Sequence, residues 1–308
     1  QARPPLGGMG VDMIGPTLLE FGTNSQKARH LPAIARGETA WCQGYSEPGA
    51  GSDLASLTTR AEPDGDRFLI NGSKIWTSGA HRADHIMVLT RTDPDAPKHR
   101  GISFLLCDMN TPGLTVNPIV NMAGDHNFNM ITFDNVRVPK KNLVGEQNRG
   151  WYVGATLLDF ERSGVDYSAG ARKTLEELIN YSKTNNLNGK PLAENEVIRN
   201  RLADLSIEVD VSRLISYNIA WMQSEGLVPN KESSMGKVFG TELQQHISQL
   251  GMQMLGLHGQ LSPNSKYSVL EGRINHMYLS NVSETIAAGT SEIQRNIIAT
   301  RGLGLPRG

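Results

Sequence analysis

The local period of this chain changes once, and that change decides most of what it can fold into. From Glu38 to about Val138, short apolar runs (RFLING, SKIWTS, HIMVLTR, GISFLLCD, MITFDNVRV) are separated by Gly, Pro and Asp clusters, which is the texture of strands. After Gly150 apolar residues recur every three or four positions and strand signals nearly vanish. A strand block followed by a helix block argues for segregated layers, an α+β chain, because alternating βαβ units would mix the two periods throughout. The expected fold is a small antiparallel β domain leading into a four-helix bundle.

Boundaries follow from the same texture. Residues 1–37 read as a loop and helical pieces, with Thr23, Asn24 or Ser25 as candidate caps, Pro32 as an interruption and Gly37 as a stop. They are too few for a domain, and the opening on Gln1 inside a Pro/Gly loop reads as a cut end. The β domain is placed at 38–146 and the helical bundle at 147–308. Asn71-Gly72, between two apolar runs, predicts a hairpin turn inside Arg67 to Trp76, since both turn positions favour positive φ. Helices are predicted over Arg172 to Lys183, Glu194 to Glu225, Glu232 to Leu255 and Tyr267 to Ala288, with a short last one. In the second of these Val197, Ile198, Leu202, Leu205, Val209, Leu214, Ile215 and Ile219 supply the apolar stripe.

Charge and cysteine content narrow the function classes. The 308 residues carry 30 Lys and Arg against 31 Asp and Glu, a net charge of -1, so no global basic field draws the chain to nucleic acid or an anionic membrane. Two cysteines, Cys42 and Cys107, exclude a disulfide framework and a Cys-based zinc site. His81 and His85 are four apart but fall among strands, so no metal site is expected. No apolar run reaches about 18 residues, and a cytoplasmic location is expected.

Four segments are equipped for chemistry, although each also has a purely structural reading. YSEPGAGSD (Tyr45 to Asp53) offers glycines that admit a close ligand and N–H groups for a phosphate, or simply a turn. KIWTSG (Lys74 to Gly79) places Trp76 beside two hydroxyls, suited to a flat heteroaromatic ring or to core packing. DFERSG (Asp159 to Gly164) puts Glu161 after an apolar run, as a desolvated base or a wet helix face. AAGTSEIQRNIIATR (Ala287 to Arg301) has Thr290 and Ser291 as caps, with Ser291 and Gln294 matching a capping box.

In this order and at these separations, with FDNVRVPKKNLVGEQNRGW between them, the segments resemble the acyl-CoA dehydrogenase family over nearly the whole chain. The resemblance implies an N-terminal helical domain, of which residues 1–37 would be the remnant in a longer native protein, a middle β domain and a C-terminal four-helix bundle. It implies FAD as cofactor, oxidation of an acyl-CoA thioester to trans-2-enoyl-CoA, and electron-transfer flavoprotein as acceptor. Tyr45, Ser46, Gly51 and Ser52 would line the flavin and its pyrophosphate, and Trp76, Thr77 and Ser78 would flank its ring. Thr290 and Glu292 would meet FAD from the far end, and Gln253 an adenine half across a subunit interface. Substrate contacts would come from Ser52, His126, Asp159, Phe160, Arg162 and Gly289.

The base position sharpens the resemblance. Many members place a Glu directly before Gly-Thr-Ser, where this chain has Ala288; members similar to isovaleryl-CoA and long-chain dehydrogenases place it third in D-x-E-R, where this chain has Glu161. The resemblance therefore implies that Glu161 takes the α-proton while flavin N5 accepts the β-hydride. Asn185 stands where homotetrameric members often carry an Arg that reaches a neighbour's FAD. That leaves a homo- or heterotetramer open, together with two alternatives: a non-catalytic assembly subunit of a mixed tetramer, or a flavin monooxygenase-type relative.

Overall fold

The computed structural model describes residues 8–161 and 165–306, and side chains outside 158–166. The chain divides into two compact units, Gln1–Glu161 and Arg162–Gly308.

The first unit opens on a π-helical turn, Gly10–Ile14, that runs into α1 (Gly15–Phe21) and then α2 (Asn24–Ala35). Of the three candidate caps Thr23 is used: its hydroxyl accepts from the Gln26 amide, and the Gln26 side chain accepts from the Thr23 amide. Pro32 does not interrupt α2 but lies inside it, and the Arg36 amide on the Pro32 carbonyl resumes the ladder beyond. Packing holds the helix there, because Gln26, His30 and Ile34 are all buried.

Eight strands follow as one sheet: β1 (Trp41–Gly44), β2 (Arg60–Asp64), β3 (Arg67–Lys74), β4 (His85–Arg91), β5 (Ile102–Asp108), β6 (Leu114–Val120), β7 (His126–Pro139) and β8 (Leu143–Val144). The order is β6-β7-β3-β2-β4-β5-β8, with β1 beside β4. All pairs are antiparallel except at β4, where β1 pairs in parallel from Trp41↔His85 to Gly44↔Val88 and β2 adds Arg60↔Arg91. Since β5 occupies β4 along its length, β1 and β2 share the remaining edge end to end. The chain between them, 45–59, must therefore leave the sheet and return.

The apolar runs of β4 and β5 are continuous because both sheet faces are covered. Met87, Leu89, Phe104 and Leu106 pack with Ile14, Leu18, Val153 and Leu157, whereas Ile86, Val88, Leu105 and Cys107 pack with Cys42, Phe68, Ile131 and Val136 on the other face. Val153 and Leu157 belong to α3 (Gly150–Glu161). Burial pushes the Cys42 thiol up to about 12 and the Cys107 thiol to about 11, so both are inert core groups.

The expected hairpin turn at Asn71-Gly72 is corrected. β3 runs unbroken through both residues, and the turn from β2 lies at Gly65-Asp66, closed by Asp64↔Arg67 with Gly65 at φ +60. Gly72 (φ +142) sits instead at a bulge opposite β7, where a Cβ would lie 2.7 Å from the Thr59 backbone. The same positive-φ permissiveness serves a turn or a bulge, and the neighbouring strand decided which.

His30 supplies a pH dependence. It is buried on α2 with its ring 5.2 Å from Trp41 and 5.5 Å from His85. Burial, with Arg29 and His85 adding, pushes it down to about 4. The unfolded chain takes up this proton first, so the stability it contributes is complete above about pH 6.5 and is lost as pH falls toward 4. The expected loss is on the order of 2 kcal/mol. Urea midpoints at pH 7 and 4.5 should fall less steeply in His30→Leu than in the wild type; parallel losses would contradict this account.

The second unit is helical: α4 (Val165–Thr184), α5 (Glu196–Ser224), α6 (Asn230–Leu255), α7 (Arg273–Ser280) and α8 (Ser291–Ile297), with a two-residue β-ribbon of β9 (Asn186–Leu187) and β10 (Lys190–Pro191) after α4. Leu175, Leu178, Leu202, Leu205, Val209, Leu243, Ile247 and Ile274 form its core. Two expectations change. The helix predicted over Tyr267 to Ala288 is helical mainly at Arg273–Ser280, because the left-handed residues Leu270, Glu271 and Gly272 break the chain before it and short turns follow. In α5 the buried stripe passes through Ser212 and Ser216, leaving Leu214 62% and Val197 72% exposed. No helix of the described residues is long and apolar enough to cross a membrane.

Candidate functional site

One end of the first unit's sheet gathers several of the expected residues: Tyr45 and Ser46 after β1, Trp76 to Ser78 after β3, and His126 at the start of β7. Direct bonds connect them. The Ile75 amide donates to the Ser46 carbonyl at 2.9 Å, and the Thr77 amide to the Asn129 carbonyl at 3.0 Å. Trp76 has φ +61, is 58% exposed, and meets Phe128 edge to face at 6.1 Å. A large aromatic at positive φ carries backbone strain that the flanking Ile75 and Thr77 amide bonds hold in place. Thr77 is buried, and its Oγ1 has no hydrogen-bond partner among the described residues. Ser78 is half-buried and His126 exposed.

The glycine segment is held by a pair that the sequence reading did not assign. Lys74 is fully buried; its Nζ donates to Glu47 Oε1 at 2.7 Å and to the Tyr45 carbonyl at 3.0 Å. Glu47, also buried, accepts from the Thr58 amide and hydroxyl and from the Thr59 amide. Burial pushes the Glu47 carboxyl up, but Lys74 and the threonine donors overcome it and hold it down at about 2. Burial also pulls Lys74 below its ordinary value against the opposing pull of Glu47. The returning stretch is clamped by Arg91, which donates to the Ala55, Leu57, Lys98 and Arg100 carbonyls. One signal for Lys74 was present in the sequence, because it shares parity with the inward residues Phe68 and Ile70 on β3.

Between these anchors Glu47 and Ala50 exchange backbone bonds in a tight turn, and Gly51 and Ser52 are exposed. Neither Gly49 nor Gly51 is at positive φ, and a Cβ on either would meet nothing within 4 Å. Their backbones do not require glycine, so what the missing side chains provide is open space for a ligand's close approach. A flat ring and a pyrophosphate fit these features: an orphaned buried hydroxyl, an exposed aromatic and an open glycine loop.

The remaining expected residues are placed separately. In the second unit Gln253 is exposed on α6. Thr290 caps α8 by accepting from the Ile293 amide, so the cap lies one residue before Ser291 and the capping box expected from Ser291 and Gln294 is not formed. Gln294 donates instead to the Ala288 and Gly289 carbonyls, holding the left-handed pair Ala288 (φ +51) and Gly289 (φ +85). Glu292 is exposed and held below its ordinary value by its own backbone amide and the Thr290 hydroxyl. Asn185 turns back onto its helix end, donating to the Tyr181 carbonyl and Thr184 Oγ1. Glu161 is the last residue of α3. Its side chain and those of Asp159 and Phe160, together with the whole of Arg162, lie outside the described residues.

Comparison with known proteins places these elements. Residues 42–136 match the acyl-CoA dehydrogenase middle domain and residues 148–303 the acyl-CoA dehydrogenase C-terminal domain. Acyl-CoA dehydrogenase IpdE1 of Mycobacterium tuberculosis (strain ATCC 25618 / H37Rv) is 37% identical over 97% of this chain and 75% of its own. Among solved structures, the Tcur3481-Tcur3483 steroid ACAD is 36% identical with a TM-score of 0.90, covering 97% of this chain and 77% of that one. The ChsE4-ChsE5 complex from Mycobacterium tuberculosis is 38% identical with a TM-score of 0.90, covering 100% and 79%.

Proposed function

From the premise that the chain belongs to the acyl-CoA dehydrogenase family, a family of FAD-dependent oxidoreductases, we propose that it removes the α- and β-hydrogens of an acyl-CoA thioester with Glu161 as the base. The observation that carries the reading is the open end of the first unit, where the glycine loop, exposed Trp76 and the unpaired Thr77 hydroxyl converge. FAD, when bound, supplies the two-electron acceptor to which the β-hydrogen departs as hydride.

Every other role falls to this chain. Thr77 offers a hydroxyl that folding desolvates and leaves unpaired, ready to bond a ring heteroatom at no further desolvation cost. Ser46, Gly51 and Ser52 keep the loop short-chained and open, the buried Tyr45 begins it, and the Glu47 and Lys74 pair fixes its start. Glu161 accepts the α-proton, a task in which burial under a bound acyl chain would raise its basicity. Gln253, Thr290 and Glu292 are the proposed second-unit contacts to FAD, and His126, Asp159, Phe160, Arg162 and Gly289 contact the thioester.

Assembly and electron acceptor are part of the proposal. On α5 the exposed Ile207, Val211, Leu214, Tyr217 and Trp221 recur at helical spacing beside a groove of about 270 Å³ reaching Met235, an apolar face suited to a second subunit. We read it as the contact face of a homo- or heterotetramer, with Asn185 favouring the mixed form, and electron-transfer flavoprotein as acceptor. The test is to purify the full protein with and without its neighbouring family members, record the visible spectrum, and add linear, branched and steroid-derived acyl-CoA thioesters without oxygen. A flavin spectrum bleached by one class supports the reading and names the substrate. A protein colourless by itself, whose mixed preparation carries flavin still bleached by thioester when Glu161 is replaced by Gln, favours the non-catalytic subunit. A protein colourless in both refutes the flavin reading, and a flavin bleached by no thioester favours the monooxygenase-type relative.

A further inference from the structure

Asn129, on β7, is fully buried and makes more polar contacts than a strand position needs. Its Nδ2 donates to the Thr77 carbonyl at 3.0 Å and faces His81 Nδ1 at 3.3 Å; its Oδ1 meets His126 Nε2 at 3.0 Å. A carbonyl can only accept, so Nδ2 must face Thr77, and that fixes the rest. His126 carries its proton on Nε2 and donates, while His81 keeps Nδ1 unprotonated and accepts. The two imidazoles stack at 4.2 Å and 26°, bracing both sides of the amide. Desolvation, with His126 and Arg82 adding, lowers His81, which suits a neutral acceptor. The main chain ties the same segment again, the Thr77 amide to the Asn129 carbonyl and the Gly79 amide to the Asn127 carbonyl.

We propose that Asn129, braced by His81 and His126, is a positioning residue that fixes Thr77 so that its buried hydroxyl is presented to the flavin. The inference rests on the flavin reading above. Trp76 at positive φ and the orphaned Thr77 hydroxyl are arrangements the loop does not favour by itself, and the Asn129 amide is the side chain that holds the carbonyl between them and Ser78. His81 is on the surface and is expected to act only through Asn129.

The test uses the full-chain protein, stripped of FAD and titrated back with it, and reads the FAD dissociation constant, the flavin absorption band and the melting temperature of the stripped form. Asn129→Ala is expected to weaken FAD about tenfold, the equivalent of one lost buried hydrogen bond, and to shift the absorption band. His81→Ala should weaken it about threefold at an unchanged melting temperature, which keeps the test decisive if Asn129→Ala does not fold. Because the effect runs through Thr77, both losses should shrink toward zero in a Thr77→Val background. Wild-type FAD affinity and spectrum in His81→Ala and in any folded Asn129→Ala, or losses undiminished by Thr77→Val, would overturn the inference. A wild type that takes up no FAD refutes the flavin reading itself, and this inference with it.

Discussion

Replacing Glu161 by glutamine is expected to leave a yellow protein that still binds thioester but reduces its flavin about 10³-fold more slowly. An α-proton beside a thioester is far too weakly acidic to leave unaided, so the base must sit at the α-carbon and the carbonyl oxygen must be held by donors. The usual alternative position in the family is Ala288, whose methyl has no proton acceptor. Glutamine matches glutamate in size and hydrogen-bonding reach and removes only the basicity, so flavin content and thioester affinity should change little. Anaerobic stopped-flow absorbance measures the reduction rate, and equilibrium titration measures the affinity. A variant that retains most of its reduction rate would move the base elsewhere in the chain.

The second large effect lies in the buried pair. Glu47→Ala is expected to destabilise the protein by about 3–5 kcal/mol, because it strands the fully buried Lys74 ammonium without its counter-charge. The paired change Glu47→Gln with Lys74→Met should recover most of that loss, since the interior then holds no charge. Flavin retention should follow a different pattern. The double variant lacks the bond from Lys74 to the Tyr45 carbonyl, so it should fold well and hold FAD weakly. Acid acts through the same pair: with Glu47 held at about 2, its contribution is complete above its ordinary value near 4.5 and lost only as pH falls through about 2. Urea unfolding of the two variants measures the first effect and flavin fluorescence the second. Equal stability of Glu47→Ala and wild type would contradict the account.

How much of this was legible in the sequence differs by residue. The division into strand and helix blocks was legible because each period reflects its own burial geometry, as the two-faced runs of β4 and β5 show. The two Asn-Gly pairs mark the limit of local signals. Asn188-Gly189 does turn a hairpin, with both residues at positive φ between Leu187 and Lys190, whereas Asn71-Gly72 forms a bulge. The difference comes from Thr59, just before β2, which the pairing of β2 with β3 brings against Gly72. In α5 the apolar pattern overstated burial, because Leu214 faces outward where Ser212 and Ser216 face in. Apolar spacing reports which residues avoid water, but it does not distinguish a core from a surface awaiting a partner.

At the candidate site the residues proposed to face a ligand were legible and their supports were not. Trp76, Thr77 and the glycine segment stand out in the sequence by residue type, whereas Glu161's surroundings left it open between a desolvated base and a wet helix face and the family resemblance chose the base. Glu47, Lys74, Arg91 and Asn129 are ordinary polar residues whose importance arises from partners such as Thr58, Glu47, Ala55 and Thr77, 11 to 52 positions away. Neither composition nor periodicity registers such pairs. For Lys74, strand parity gave a hint.

The central claim, dehydrogenation that begins with removal of the α-proton, is tested most directly by a single anaerobic turnover with an acyl-CoA carrying deuterium at the α-carbon. The account predicts that the wild-type flavin bleaches more slowly than with the undeuterated thioester and that the recovered product is the trans-2-enoyl-CoA. A flavin that stays oxidised in the presence of every thioester class, or one that bleaches while the thioester is recovered saturated, would contradict it.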